Sequence, residues 1–479
     1  QLTFVHIAGT NGKGSVLAYV STVLKEAGYK VGRYISPTIF SYRERIQVNE
    51  SYISREDLIR LTEKVKAAGD QLLAEGRQHP TMFEMETAIA FLYFVEQNCD
   101  LVVLEVGMGG RLDATNVIRN TKVAVLASIS MDHMGFLGNT LGEIAEHKAG
   151  IIKPGCTVVS ASQQPEAAVS VRKKAEQEGC ELICVEPEKI KIEKRGLEGQ
   201  IFSYKEHAQV EIALAGEYQF LNGALALEVL DELKRKGYEI SEEALKAGMK
   251  KTVWLGRFSV ISTDPLFIVD GAHNRDAARV FRDSVERDLP GKRLIFIMGV
   301  LADKEYEEVV RQTVSLAAEV ITVMTPDNPR ALPAEELANT VKKYNSHVQA
   351  AESLAAAVDL AYEKAEKEDA RLAPYQSVEL AAMARAYYLK ENNCEVQGLG
   401  IMFFCLCVYG YVFSNGFSEY IGINNGYSLI FASFLYITGR VINEKEAVIK
   451  KRMDFSRSAI GYITSSIIIS GGGDPVSLL

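Results

Sequence analysis

The chain has 479 residues, is 47% hydrophobic and 24% charged, and carries 53 Lys and Arg against 62 Asp and Glu, a net charge of −9. That length implies two to four domains, and the average composition excludes disordered, collagen-like and disulfide-scaffold proteins. The acidic balance argues against a nucleic-acid partner, which needs clustered Lys and Arg, and seven Cys without framework spacing read as reduced thiols of a cytoplasmic protein.

The chain starts on Gln1 with no visible signal peptide, and a strand-like run, Leu2–Ala8, begins at once, as in a chain cut into at its front. Apolar residues at Val16, Val20, Val23, Leu24 and Ala27 then predict an amphipathic helix ending at Gly28. Further strand runs are Val31–Ile35, Leu101–Val106, Val123–Ile129 and Thr157–Ala161. Continuous apolar strands alternating with helices predict a parallel sheet covered on both faces. Lys189–Leu214 mixes polar and apolar residues around Gly196 and Gly199, which predicts antiparallel hairpins.

A second alternating set starts near Ser259, with strands at Leu266–Val269, Leu294–Met298 and Val320–Met324 and a helix over Arg275–Glu286, so a domain boundary falls near Leu255–Ser259. Leu354–Asp369 predicts an acidic helix, and Ala370–Asn393 reads as a further helix. After about Asn392 the alternation stops. Val396–Ser418 and Tyr420–Gly439 hold no charged side chain, and each reaches the roughly 20 residues that span a bilayer.

The first turn is Gly9, Thr10, Asn11, Gly12, Lys13, Gly14 and Ser15, between a strand and a helix. Glycines let backbone N–H groups turn toward an anion, the helix start adds a positive dipole, and Lys13 reaches terminal phosphates. Gly14 separates the Lys from Ser15, so the loop departs from a standard Walker A. A tight turn with an incidental Lys is the bland alternative.

Other residues gather at strand carboxyl ends, where α/β sheets bind ligands. Glu105 ends one strand, and a carboxylate there needs a partner or a cation; otherwise it caps the following turn. His133 follows another strand, and spacing leaves it open between a structural residue and a ligand. Thr140 and Glu143 form a capping box, after which Leu141, Ile144, Lys148 and Ile151 share one face. Lys148 therefore projects from the apolar side, either as a snorkelling Lys or as one whose burial favours the neutral amine. Asp270, His273 and Asn274 follow a strand and start a helix; the alternative there is an N-cap with a local Asp–His bond. Arg257 lies at the hinge, and Lys304 is either a site cation or a charged helix start.

Together these motifs resemble the folylpolyglutamate synthase/dihydrofolate synthase family of the Mur ligase superfamily. The stretch Phe4–Val16 is similar to its ATP loop. Ser36-Pro37, Glu44-Arg45-Ile46, Glu105–Asn116, Asp132-His133, Lys148–Pro154, Gly216–Asn222, Trp254–Arg257, Asp270–Asn274 and Gly299–Lys304 follow in the family's order, covering about residues 1–370. The resemblance implies an α/β protein: a P-loop parallel-sheet ATPase domain at 1–256 and a smaller Rossmann-like C-terminal glutamate-ligase domain at 257–392, followed by an atypical tail at 393–479.

It also implies the chemistry. ATP and Mg²⁺ are the expected cofactors, with Ser36, Glu105 and His133 as metal ligands and Lys148 carbamylated, although His147 replaces the family's usual Glu. Asp270, His273 and Asn274 are expected against the ATP phosphates, Arg257 as a phosphate clamp, and Asp113 and Asn116 on the nucleotide side. Lys13, Lys148, Asp270, His273 and Arg257 form the implied catalytic set. The implied reaction joins L-glutamate to a folate or to dihydropteroate through an acyl phosphate, in a cytoplasmic monomer. A Mur-type ligase acting on a cell-wall precursor, an inactive ATP-binding remnant and a membrane-tethered binding module are the competing readings.

The tail departs from the family. Tyr427–Arg440 faintly resembles its last strand, displaced by tens of residues. Residues 396–439 read either as a membrane hairpin with basic flanks or as a chimeric, unstructured end, and the second is preferred.

Overall fold

The structure is a computed structural model describing residues 2–38, 41–263, 266–326, 328–368 and 371–375. Both readings of the tail, and the Tyr427–Arg440 strand, lie outside the described residues. Among the described residues no helix is long and apolar enough to cross a membrane.

Apolar runs become strands where helices cover both faces. The first sheet comprises β1 (Phe4–Ala8), β2 (Val31–Tyr34), β3 (Ile46–Val48), β4 (Ser51–Tyr52), β5 (Leu101–Glu105), β6 (Thr121–Leu126), β7 (Thr157–Ser160) and β8 (Leu182–Cys184). Their order is β4-β3-β2-β5-β1-β6-β7-β8. The pairs among β2, β5, β1, β6, β7 and β8 are parallel, and only the β2–β3–β4 edge is antiparallel.

β1 is buried along its whole length. On one face Val5 and Ile7 pack with Val16 and Val20 of the helix Lys13–Glu26 and with Leu225 and Leu230 of the helix Tyr218–Arg235. On the other, Ala8 and Leu126 pack with Ile144, and Phe4 and Leu104 with Phe94. The region read as hairpins forms β9 (Ile190–Lys194), β10 (Gln200–Tyr204) and β11 (His207–Ile212), an antiparallel sheet. Phe202 anchors it by an edge-on contact with Phe220, ring centres 5.7 Å apart.

The second sheet contains β12 (Ser259–Thr263), β13 (Leu266–Val269), β14 (Leu294–Met298), β15 (Glu319–Thr322), β16 (Val348–Ala350) and β17 (Arg371–Tyr375), in the order β12-β13-β17-β14-β15-β16. Here one expectation is corrected. Residues 371–375, read as part of a helix, form β17 directly after the helix Leu354–Glu368. Parallel pairing with β13 and β14 on either side overrides the local helical preference.

The topology sets where ligands go. β1 leads to β2 on one side of itself, whereas β5 leads to β6 on the other. The connections thus reverse between β1 and β5, which opens a crevice beyond their carboxyl ends. The phosphate loop and Glu105 lie there. The two domains also share apolar surface: Leu197 and Tyr218 pack against a cluster that holds Ala215, Phe258, Phe281 and Phe296.

Candidate active site

The phosphate loop is built by close approach. Gly12 takes φ 87° in the left-handed region and starts the helix Lys13–Glu26. A Cβ on Gly12 would stand 2.5 Å from Asn222 Oδ1, and one on Gly14 would stand 2.5 Å from the Trp254 ring. The loop floor is pinned by hydrogen bonds from the N–H groups of Thr10 (2.7 Å) and Asn11 (3.2 Å) to the Ser128 carbonyl. Gln219 donates to Ser15 Oγ at 3.2 Å and accepts from Asn222 at 3.1 Å, so the block Gly216–Asn222 buttresses the loop from behind.

Cations and carboxylates converge beside it. Lys13 Nζ donates to the carbonyls of Gly9 and Thr10, both at 3.3 Å, and stands 3.9 Å from Glu105 Oε1. Glu105 is buried, and its Oε2 accepts the Ser36 N–H at 3.4 Å. Burial raises its pKa against the pull of Lys13. Lys148 is buried at 3% exposure, so it does not snorkel; its Nζ donates to the Gly9 carbonyl at 2.9 Å. Burial, with Lys13 nearby, lowers its pKa to about 7. The capping box of Thr140 and Glu143 starts the helix that carries it.

His133 takes φ 52°, an uncommon conformation for a non-glycine residue, and its imidazole stands 3.9 Å from Asp132 Oδ2. The structure thus joins Ser36, Glu105 and Lys13, and it joins Lys148 to Gly9, while the His133 imidazole stands beside Asp132.

The second domain faces these groups. Asp270 is buried; it accepts the N–H of Phe258 (2.7 Å) and Ala272 (2.8 Å) and the Tyr218 hydroxyl (3.4 Å). Burial raises its pKa, opposed by Arg257. Arg257 turns its guanidinium onto the Gly256 carbonyl at 2.9 Å. His273 bonds to the Gly271 carbonyl through Nδ1, and burial holds its imidazole down to about 4. Asn274 caps the helix Arg275–Asp288 and reaches Asn11, and Lys304 reaches Asp132 at 3.1 Å.

The comparisons with known proteins give the family. Residues 7–230 match the Mur ligase middle domain, and residues 256–373 match the Mur ligase glutamate ligase domain. A dihydrofolate synthase/folylpolyglutamate synthase of Bacillus subtilis is 37% identical over 339 residues, 69% of this chain and 78% of the relative. The chain belongs to the folylpolyglutamate synthase/dihydrofolate synthase family of Mur ligases. A folylpolyglutamate synthase of Lacticaseibacillus casei is 34% identical over 341 residues, 70% of this chain and 79% of the relative. Among solved structures, a Mycobacterium tuberculosis folylpolyglutamate synthase complexed with ADP and AMPPCP matches with a TM-score of 0.74 at 27% identity, covering 81% of this chain and 91% of that one. An FPGS–AMPPCP–folate complex matches with a TM-score of 0.69 at 29% identity, covering 80% and 90%.

Within this family's motifs, two residues sit apart from the loop. Asp113 caps a short turn by accepting the Thr115 N–H at 3.0 Å. Asn116 donates to the carbonyls of Arg111 (3.1 Å) and Gly150 (3.0 Å), tying the Glu105–Asn116 segment to the end of the Lys148 helix. Sequence reasoning assigned no role to Asp132, Tyr218, Gln219 or Asn222. Their signal lay in the quoted blocks Asp132-His133 and Gly216–Asn222, whose partners lie far away in sequence. Among the described residues no group of three or more His, Cys, Asp and Glu could hold a metal. The donors Ser36 and Glu105 still suit Mg²⁺, which prefers oxygen, because Glu105 is a buried carboxylate whose cation stands 3.9 Å away.

Proposed function

We propose that the chain is an ATP-dependent ligase that joins L-glutamate to a folate carboxylate, a pterin-linked γ-glutamyl group or dihydropteroate. One observation carries the reading. A phosphate loop with two lysines and a buried Glu105 lies at the switch point of one sheet, and from the second domain Asn274 reaches the loop's Asn11 while His273 and Lys304 reach Asp132 beside it. The names of the relatives supply the substrates. In this reading residues 1–256 hold nucleotide, 257–392 complete the ligase site, and the protein acts as a cytoplasmic monomer on small molecules.

A carboxylate is a poor electrophile toward an amine. Phosphoryl transfer from ATP to a carboxylate oxygen gives an acyl phosphate and ADP. The amine of glutamate then attacks the acyl carbon, the amide forms, and phosphate leaves with the electron pair of the broken C–O bond. The chain's own work is positioning and charge neutralisation. Lys13, extended over the loop, would meet the terminal phosphates. Arg257 at the hinge offers a planar fork to the transferring group. His273 is neutral at pH 7 and acts there as a hydrogen-bonding group. Asp270 fixes the turn that presents His273, through its bonds to Phe258 and Ala272.

Mg²⁺ would be held by Ser36 and Glu105, with His133 as a further donor, and it would neutralise phosphate charge. Burial brings the Lys148 pKa down to about 7, so near neutral pH a sizeable fraction is the neutral amine that carbamylation by CO₂ requires. Glutamate-dependent phosphate release tests the site: Lys13→Ala and Glu105→Gln should each lower it by at least about 100-fold, the scale of one preorganised electrostatic group. Wild-type turnover in either variant refutes it. Parallel assays on dihydropteroate and tetrahydrofolate separate the two acceptors.

A further inference from the structure

Asn274 has no hydrogen-bonding capacity left for a ligand. Its Oδ1 accepts the Ala277 N–H at 2.9 Å and Asn11 Nδ2 at 3.3 Å. Its Nδ2 donates to Asn11 Oδ1 at 3.2 Å and to Asp132 Oδ2 at 3.3 Å. An amide offers two donors and two acceptor positions, and all four are taken. Two of these bonds close a ring with the phosphate-loop Asn11, and a third crosses to a carboxylate of the first domain.

Asp132 is the other half of that crossing. Its Oδ1 accepts Lys304 Nζ at 3.1 Å, and His273 Nε2 stands 3.9 Å from its Oδ2. The carboxylate side chain is 10% exposed and Lys304 is 19% exposed. A carboxylate so enclosed is costly unless charge-assisted bonds satisfy it. Its cation Lys304 and its side-chain amide partner Asn274 both come from the second domain, so parting the domains would leave it only the His133 N–H at 2.8 Å and the adjacent imidazole.

We propose that Asp132 and Asn274 are a positioning pair. Their bond, flanked by Asn11 and Lys304, sets the angle at which the second domain meets the phosphate loop. Neither residue touches the reacting atoms. Asn274, at the start of the Arg275–Asp288 helix, is then a joint between domains rather than a nucleotide ligand. The pair also fixes His273, which is adjacent in sequence and faces the same carboxylate.

The test is a swap. Asn274→Asp preserves the helix cap, because Asp caps as well as Asn. It cannot donate to Asn11 or Asp132, and it places two carboxylates together. In the nucleotide-free full chain, hydrogen exchange across residues 128–134 and 270–275 should speed by about tenfold or more, the loss of a charge-assisted bond. The double variant Asp132→Asn with Asn274→Asp reverses donor and acceptor and should return exchange to within about threefold of wild type, as coupled neighbours do. Lys304→Met, which leaves the cap and Asp132 intact, should speed exchange at the same segments. A swap that exchanges as fast as Asn274→Asp alone, with circular dichroism showing both proteins folded, overturns the proposal. Wild-type exchange in Asn274→Asp overturns it too. The effect on turnover rests on the ligase reading, and Asn274→Asp should lower kcat more than it raises KM for ATP. An inactive wild-type chain that still shows the exchange rescue would refute that reading and leave the pair standing.

Discussion

Lys148 combines burial, a backbone hydrogen bond to the phosphate loop and a lowered pKa in one side chain. The helical spacing of Leu141, Ile144 and Lys148 placed it on the apolar face, and it is buried there with one carbonyl partner. Its pKa falls from 10.5 to about 7 through burial. Between those two values the unfolded chain holds a proton that the folded chain lacks, so stability rises with pH across that window. Below pH 7 both states are protonated, and the buried charge costs about 1.4 kcal/mol for each unit of separation. Lys148→Met should therefore be more stable than wild type at pH 7, with the gap narrowing toward pH 10. Urea unfolding in CO₂-free buffer measures this, and a gap independent of pH would show that the folded amine stays charged. The same variant should lose turnover. Lys148→Ala, with a cavity in place of the side chain, should regain part of it with short carboxylic acids if a carbamate is the working group. Asp132 shows the limit of residue-level reading. Nothing in its neighbourhood announces that Asn274, 142 positions away, completes it.

At the scale of elements, the strand and helix alternation was readable because parallel strands buried on both faces are continuous apolar runs. The boundaries shifted by only a few residues: the run Val123–Ile129 became Thr121–Leu126, and Val320–Met324 became Glu319–Thr322. Residues 371–375 were misread because sheet pairing with β13 and β14 is a long-range effect. The phosphate loop was recognisable from Gly9–Ser15, but its packing was not, since Trp254 and Asn222 arrive from more than 200 residues away. Trp254 is the chain's single tryptophan, and its ring leaves no room for a Cβ on Gly14. Gly14→Ala must displace it. Overpacking of this kind costs about 1–3 kcal/mol, so nucleotide affinity should drop roughly tenfold, with a red-shifted tryptophan emission. An unchanged emission spectrum would mean that the indole does not rest on the loop. Thr140→Ala should destabilise the Lys148 helix by about 1 kcal/mol through loss of its cap, which equilibrium unfolding will register.

For the whole molecule, the two sheets bring their carboxyl ends to one seam, where Asn274 meets Asn11 and Lys304 meets Asp132. Each domain has its own core, one centred on Val5, Ile7 and Val125 and the other on Phe281, Phe296 and Met298. Each could therefore melt as a unit, and what couples them is the shared seam of Asn11, Asp132, Asn274 and Lys304 with the Tyr218 contact beside it. On the ligase reading proposed above, a nucleotide bound beside that seam is linked to both cores, because losing either domain would destroy the site. Calorimetry of the full chain should then show both unfolding transitions rising with added ATP and Mg²⁺. At 100 times the dissociation constant the stabilisation is about 2.7 kcal/mol. A ligand held by the phosphate loop alone would raise only the first domain's transition and leave the second in place. Asn274→Asp separates the cases further: with the seam broken, the transition of the second domain should lose its dependence on nucleotide while that of the first keeps it. A second-domain transition that still follows nucleotide in that variant would mean that other contacts, such as Arg257 and Asp270, carry the coupling by themselves.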